Sequence, residues 1–381
     1  MENLSCIRRG QSVATAARTA ARQFYAAVVQ PDMALVIFFC SPEYDLDELA
    51  SELKTLFSGV QVVGCTTAGE IGLAGYLDRS ITGASFGVDS FTAASGLLSD
   101  LKQFTFASAR SLGQELLQGL ETTQPGVNVS NTFALLLIDG LSRREEPVAA
   151  ALQSALGEIP LIGGSAGQGL RFERTRVYAD GCFHDDSAVV TLVTTPLAFT
   201  TFKAQHFVPT DRRVVVTEAD PERRVVQELD GFPAAAFYAE LVGSSESALD
   251  AARFAAEPVV VLIDGTNYVR SIQKANPDGT LTFYSAIDEG LVLRTARGVD
   301  LVQNLEEAFD AVRATIGPPQ LVIACDCILR RLEIIQRELV GRVDALFRDN
   351  NVVGFNSYGE QYHGVHVNQT LTGIAIGEAV R

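Results

Sequence analysis

The sequence predicts an α/β protein of two packed domains, with mixed β-sheets covered by helices and built from repeated strand–helix–strand units. Three observations predict it. One phrase occurs three times: an apolar run, a helix-period segment, a second apolar run ending at a Gly-rich turn, and a further strand. Its spacing is kept, since Cys40 to Gly64 and Asp139 to Gly163 both span 24 positions and Asp326 to Gly354 is four longer. Short apolar runs alternating with amphipathic helices give an α/β architecture, and the β-rich tail of each copy makes the sheets mixed rather than purely parallel.

The elements follow in order. Val13, Ala16, Ala17, Ala20, Phe24 and Val28 recur at helical spacing and predict a packed helix. The N-terminal MENLSCIRRGQ lacks the apolar core and cleavage site of a secretory signal. The first copy runs LVIFFC (Leu35 to Cys40), a helix from Asp45, VVGCTTAGE (Val62 to Glu70) and ITGASFG (Ile81 to Gly87). Asp45 with Glu48 forms a capping box, Leu46, Leu49, Ala50, Leu53, Leu56 and Phe57 make the apolar stripe, and Gly59 ends it. The second copy runs FALLLID (Phe133 to Asp139), a helix from Glu145 with Pro147 at its start, LIGGSAGQG (Leu161 to Gly169) and VVTLV (Val189 to Val193). A boundary at Thr195-Pro196 divides the chain into domains 1–195 and 196–381. A β-rich insert follows. It holds a strand over Phe199 to Phe207, a strand, Asp-Gly turn and helix in VVQELDGFPAAAFYAEL, and further strands around a tight Asp278-Gly279 turn. The third copy runs LVIACD (Leu321 to Asp326), a helix over Leu332 to Phe347, VVGFNSYGE (Val352 to Glu360) and LTGIAIGE (Leu371 to Glu378).

Composition excludes several functions. With 46 acidic against 30 basic residues the net charge is −16, which repels nucleic acid and anionic membranes. The arginine pairs Arg8-Arg9, Arg143-Arg144 and Arg330-Arg331 are isolated and form no basic stripe. No run of 18 apolar residues offers a membrane span. The six cysteines show no extracellular framework, so a cytoplasmic location is expected.

Strands that end at glycine turns point to a ligand pocket lined by backbone. Four histidines are the natural metal or haem ligands: His184, His206, His363 and His366. His363 and His366 could share a metal if they point one way; ordinary turn and strand-edge histidines are the alternative. No HExxH, Cys/His quartet or close third ligand accompanies them. His206 stands in KAQHFVPT, at a strand end beside Phe207 and near the domain junction. A neutral imidazole among apolar groups suits a proximal iron ligand, or a hydrogen-bonded structural histidine. Cys325 and Cys327 share one face of a strand and make half a zinc site, or two buried thiols. No Walker loop, GxGxxG-to-helix or GxSxG occurs, so an enzyme is not expected. Glu70 and Glu360 occupy matching places, where they would satisfy turn N–H groups. Tyr358, Glu360, His363 and His366 complete the candidate pocket.

VVGCTTAGEI (Val62 to Ile71), IPLIGGSAGQG (Ile159 to Gly169), VVTEADPERRVVQELDGFPAAAFYAEL and the ending VVGFNSYGEQYHGVHVNQTLTGIAIGE resemble the FIST family, the two-part sensory domain of bacterial signalling proteins. The likeness covers about Asp32 to Glu378. AQHFVPTDRRVVVTEADP more narrowly resembles the stand-alone nitric-oxide-sensing FIST haemoproteins. That closer likeness implies haem b held by His206 beside Phe207, and nitric oxide as ligand. It also implies a partner histidine kinase, phosphotransfer protein or cyclic-di-GMP enzyme of the kind that governs biofilms. A homodimer is left open. The competing expectation is a non-haem sensor of a small metabolite such as an amino acid, its carboxylate held by backbone N–H groups at the three glycine turns.

Overall fold

The structure is a computed structural model and describes residues 6–263 and 265–379. Its strands fall into three units with one order. The first is β1 (Ile7–Ser12), α1 (Ala17–Val28), β2 (Met33–Cys40), α2 (Leu46–Leu56), β3 (Gln61–Thr66), the hairpin β4 (Glu70–Gly72) and β5 (Gly75–Leu77), and β6 (Ile81–Gly87). The second is β7 (Thr92–Leu98), α3 (Phe106–Thr123), β8 (Thr132–Ile138), α4 (Glu145–Leu156), β9 (Leu161–Ser165), the hairpin β10 (Val177–Ala179) and β11 (Cys182–His184), and β12 (Ala188–Thr194). The third starts with β13 (Leu197–Ala204) and is interrupted by an insert. The insert holds β14 (Phe207–Asp220), β15 (Val225–Leu229), β16 (Phe232–Pro233), α5 (Ala234–Leu241), α6 (Ala251–Ala256), β17 (Val259–Ile263), β18 (Thr266–Arg270), β19 (Ile272–Ala275), β20 (Leu281–Phe283) and β21 (Val292–Gly298). The unit resumes with α7 (Leu301–Ile316), β22 (Leu321–Cys327), α8 (Ile328–Gln336), α9 (Val340–Asp349), β23 (Val352–Ser357), the hairpin β24 (Glu360–Tyr362) and β25 (Val365–Val367), and β26 (Leu371–Ala379).

No unit completes its own sheet. The sheet orders are β1-β6-β2-β3-β10-β11, β7-β12-β8-β9-β24-β25 and β13-β26-β22-β23-β4-β5. Each sheet therefore ends in the hairpin of another unit, and the exchange closes into a ring. Within each unit the central pair is parallel, joined by a helical crossover, and the return strand is antiparallel. The mixed α/β architecture is the one the repeats imply.

Alternation along the central strands explains why they read as continuous apolar runs. Leu35, Ile37 and Phe39 of β2, Phe133, Leu135 and Leu137 of β8, and Leu321, Ile323 and Cys325 of β22 face one shared core. The intervening Val36, Phe38 and Cys40 meet α1 and α2. Ala134, Leu136 and Ile138 meet α3 and α4, and Val322 and Ala324 meet α7 and α9. Strands covered on both faces lose the apolar–polar alternation of a half-exposed sheet. Half of the expected capping box is present: the Asp45 side chain accepts from Glu48 N at 3.0 Å.

Two expected elements differ. The single helix over Leu332 to Phe347 is two, α8 and α9, broken at Glu338, which has a left-handed φ of 56°. Leu339 N there donates back to Ile334 O at 2.8 Å. The four additional positions of the third copy accommodate that break. The strand expected over Phe199 to Phe207 stops at Ala204, and a new one starts at Phe207. Gln205 and His206 form the crossing into the insert, which leaves again at Val299, and Val299 N donates to His206 O at 2.8 Å. Thr195-Pro196 lies between β12 and β13.

Gly64, Gly163 and Gly354 hold the same place in the three units, paired with Phe38, Leu136 and Ala324 of the neighbouring parallel strand. A Cβ there would stand 2.5, 2.1 and 2.0 Å from the carbonyl oxygen of that partner residue. Gly119, inside α3, has open space around it. Gly163→Ala and Gly354→Ala are expected to destabilise the fold by about 2 kcal/mol or more, since backbone rather than a side chain must move. Gly119→Ala is expected to stabilise it by about 0.5–1 kcal/mol. Urea unfolding midpoints check both; equal and small shifts at all three positions would remove the steric account of the repeat.

Candidate functional site

The three Gly-rich turns meet at one end of the ring and interlock. Ala68 N donates to Asn356 O at 2.9 Å and Asn356 N to Gly69 O at 2.7 Å. Gly167 N donates to Thr66 O at 2.9 Å, Ser165 N to Gly359 O at 2.8 Å, and Tyr358 N to Ser165 O at 3.2 Å. Gln168 N donates to Tyr358 Oη at 3.0 Å, and Tyr358 Oη donates to Gly169 O at 3.0 Å. The expectation that these N–H groups hold a ligand carboxylate is corrected: they are spent on joining the units, because buried backbone donors need partners.

A buried carboxylate braces each turn. Glu70 accepts from Thr67 Oγ1, and from Ser80 N at 3.1 Å and Ser80 Oγ at 2.7 Å. Glu360 repeats this with Ser357 Oγ at 2.6 Å, Thr370 N at 3.2 Å and Thr370 Oγ1 at 2.7 Å. In the second unit Asp139 takes the role from the other strand, accepting from Thr175 Oγ1, Leu141 N and Asp186 N. Burial pushes Glu70 up to about 7 and Glu360 up to about 8, against the lowering effect of these donors. Glu70 and Glu360 therefore titrate in the neutral range inside the turns they support.

His206 is fully buried. Its Nδ1 faces Arg330 Nη1 at 3.1 Å and its Nε2 faces Glu333 Oε2 at 2.8 Å. A guanidinium only donates, so Nδ1 accepts and Nε2 carries the proton given to Glu333. Burial holds this ring below the usual histidine range, so it stays neutral. The line of contacts runs on: Arg330 Nε donates to Asp326 Oδ1 at 2.8 Å, Tyr76 Oη to Asp326 Oδ2 at 2.5 Å, and Arg337 Nη1 to Glu333 Oε1 at 2.8 Å. In this arrangement both ring nitrogens face protein partners, as in the hydrogen-bonded structural histidine that was the alternative expectation. Phe207 packs on the ring at 4.1 Å between centroids and is buried with Val260, Val269 and Ala296.

The other candidates are dispersed. His363 sits at an exposed hairpin turn with φ 50°, its Nε2 3.0 Å from Thr201 Oγ1. His366 is buried, with Nδ1 3.1 Å from Gln361 Nε2. The two do not share a face. His184 Nε2 is 3.1 Å from Ala179 O. Cys325 and Cys327 are buried, and burial pushes both thiols well up. Among the described residues no group of three His, Cys, Asp or Glu side chains could hold a metal ion. Tyr358, besides locking the turns, stacks with Phe172 at 4.4 Å. No described helix is long and apolar enough to cross a membrane.

One corner of the ring is open. Three adjoining hollows of about 220, 220 and 150 Å³ lie beyond the C-terminal ends of β2 and β3, the second and third sharing Ser41, Glu43 and Arg79, and the first joined to them by Pro42 and Tyr44. Arg79 and Arg171 both pair with Glu43, and Arg174 and Arg176 both pair with Asp185. Asp47 and Asp78 also line the cleft, Asp78 held at 2.8 Å by Arg331. Arg171, Arg174 and Arg176 lie within six positions of one loop and Arg79 joins them from the first unit.

The FIST N domain pattern matches residues 34–232 and the FIST C domain pattern residues 234–363. The chain belongs to the FIST family. The two FIST patterns divide the chain inside β16, within the insert. No curated protein matches. Among solved structures, a cyanuric acid hydrolase described as an innovation by structural concatenation is similar at 9% identity. It covers 98% of this chain and 99% of its own, with a TM-score of 0.41. No property of that hydrolase transfers to this FIST chain at that level.

Two outcomes follow for this FIST chain. His206→Ala is expected to cost about 1–3 kcal/mol of stability with no ligand present, because Arg330 and Glu333 each lose one buried hydrogen-bond partner while keeping Asp326 and Arg337; an unfolding midpoint like wild type would contradict the network. The second concerns pH. A carboxyl whose folded pKa lies above its unfolded value of about 4.3 contributes stability that is present below that value and lost as pH rises through the folded pKa. For Glu70 and Glu360 the loss runs upward from the unfolded value and is complete only above about 7 and about 8. Glu360→Gln should flatten the fall in urea midpoint between pH 5 and 8; parallel profiles for variant and wild type would count against it.

Proposed function

We propose that this FIST chain is a sensory module for a small anionic metabolite, an amino acid or related carboxylate, taken into the open cleft beside β2 and β3. One observation carries this reading: four arginines converge on a cleft at the carboxyl ends of parallel strands in a chain of net charge −16. Open α/β sheets bind ligands outside the carboxyl ends of their strands, and a planar guanidinium fork recognises a carboxylate with two parallel hydrogen bonds. Arg79 and Arg171 share one carboxylate, so each has donors to turn toward a ligand. The cleft wall includes Thr67 to Glu70, so a ligand there touches the turn that locks the first unit to the third. Binding would bias that junction through its different affinity for the open and closed states. The output we propose is contact with a histidine kinase, phosphotransfer protein or cyclic-di-GMP enzyme, on the family resemblance.

Calorimetry with a panel of amino acids and dicarboxylates tests the reading. At least one compound is expected to bind, with Arg171→Ala weakening it about tenfold or more, the value of one charge-assisted contact. Protein purified after haem supplementation supplies the opposing arm. A Soret band lost in a folded His206→Ala protein, with no carboxylate bound, would overturn the proposal in favour of haem.

A further inference from the structure

Thr370, Gln369 and Asn368 stand in the third unit where Ser80, Arg79 and Asp78 stand in the first. Ser80 and Thr370 brace Glu70 and Glu360 alike, and Arg79 and Gln369 share a left-handed φ of 53° and 51°. The first corner is open, but the third is roofed by the insert. Gln369 Nε2 donates to Phe254 O at 3.4 Å, and Arg270 Nη1 to His366 O at 3.1 Å. Arg224 Nη2 reaches across to Glu145 and Glu146 at 2.6 Å each, and Ala286 N to Glu146 Oε1 at 2.6 Å.

Beneath this roof, buried polar atoms lack partners: Arg270 Nε, Ser271 Oγ, Ser285 Oγ, His366 Nε2, both amide atoms of Asn368 and Gln369 Oε1. Two groups of them are joined through Arg270, whose Nη1 donates to His366 O at 3.1 Å, and Tyr284 N donates to Ser271 O at 3.0 Å. Built on Gly359, a Cβ would lie 2.6 Å from His366 Nε2 and 3.0 Å from Asn368 Nδ2, so ring and amide meet on that one side. The chemistry of the set is donor-rich. His366 Nδ1 faces the Gln361 amide nitrogen, so Nε2 carries the ring proton. Among the described residues no carboxylate lies within ion-pair distance of Arg270, whereas Arg224 bonds both nearby glutamates. A buried guanidinium without a carboxylate, and buried donors without acceptors, each cost free energy that a native interior rarely bears without an ion, a ligand or ordered water to answer them.

We infer that a second, enclosed site for a small carboxylate lies beneath the insert at the end of β23, with Arg270, His366 and Asn368 as its donors. The carboxylate oxygens accept from Arg270 Nε–H, His366 Nε2–H and Asn368 Nδ2–H. Asn368 Oδ1 and Gln369 Oε1 are acceptors for an α-hydroxyl or α-ammonium group. The insert hangs on two adjacent crossings, at Gln205–His206 and at Val299, so entry requires it to lift about that pair. This site is distinct from the open cleft and does not depend on it.

The test titrates the full chain with sodium acetate, L-lactate and L-alanine, at ionic strength matched by sodium chloride, reading both calorimetry and thermal unfolding. At least one compound is expected to bind and raise the unfolding temperature. Its affinity should fall at least tenfold in Arg270→Lys, which keeps the charge and loses the fork, and in Asn368→Asp, which sets a carboxylate against the anion. Arg110→Ala, at an exposed position of α3 outside both sites, should leave it unchanged. If Arg270→Lys fails to fold, Asn368→Asp with a wild-type circular dichroism spectrum decides alone. No shift beyond the chloride control, or binding lost in Arg171→Ala and kept in Asn368→Asp, overturns the enclosed site. Binding that follows the first pattern instead, at one molecule per chain, would sink the open cleft and keep this one.

Discussion

Exchange of the hairpins β4–β5, β10–β11 and β24–β25 around the ring is what the rest of the structure depends on. A sheet that ends in another unit's hairpin cannot form until that unit is in place, so the three cores are one cooperative object. The glycine at each exchange point follows from this. The strand runs so close to its parallel partner that a Cβ would sit on a carbonyl oxygen, and the approach brings the next turn into hydrogen-bond range. Each turn then has its donors consumed by another, and a carboxyl is drawn in to satisfy the turn's remaining N–H and hydroxyl groups. Glu70 and Glu360 are buried by the turns packed around them, and that burial is why they titrate near neutrality.

Much of the fold was legible because it is local. The apolar runs at Leu35, Phe133 and Leu321 and the cap at Asp45 are written within a few neighbouring residues, and the structure has strands and a helix there. The turn carboxylates were legible as a pair because Glu70 and Glu360 recur at one offset. What was hidden is non-local. Nothing near Glu70 says that β4 pairs with β23, more than 280 positions away in sequence. His206 shows the same limit. Its neighbours Phe207 and Val208 suggest an apolar pocket, while the groups that define its chemistry, Arg330 and Glu333, come from α8. A periodicity reading also could not find the break at Glu338, because α8 and α9 keep their apolar faces on both sides of it.

The third unit departs from the other two in ways that share one cause. It carries the insert, its crossover helix is split, and its outer corner is covered. The first of the two split helices supplies Arg330 and Glu333, the side chains that hold His206 at the root of the insert. A second polar contact, Arg224 to Glu145 and Glu146, holds the far side of the insert against α4 of the second unit. The insert is thus tied by charge at two places, with an apolar contact among Ala255, Ile328 and Tyr358 between them.

Such an arrangement is suited to two discrete positions rather than gradual bending. Packed apolar contacts are lost over a short distance, whereas an ion pair that opens to water trades Coulomb attraction for hydration at modest net cost. Lifting the insert would break the apolar contact, expose Arg224 with its glutamates, and leave the antiparallel crossing at His206 and Val299 intact as a hinge. Tyr358 links this motion to the centre. Its ring belongs to the apolar contact under the insert, and its hydroxyl locks the turn of the second unit through Gln168 N and Gly169 O. One side chain therefore lies on both the covered corner and the three-way junction, and the junction in turn forms the wall of the open cleft through Thr67 to Glu70. A change in how the insert sits reaches the open cleft in two packed steps, by contacts that exist for structural reasons alone.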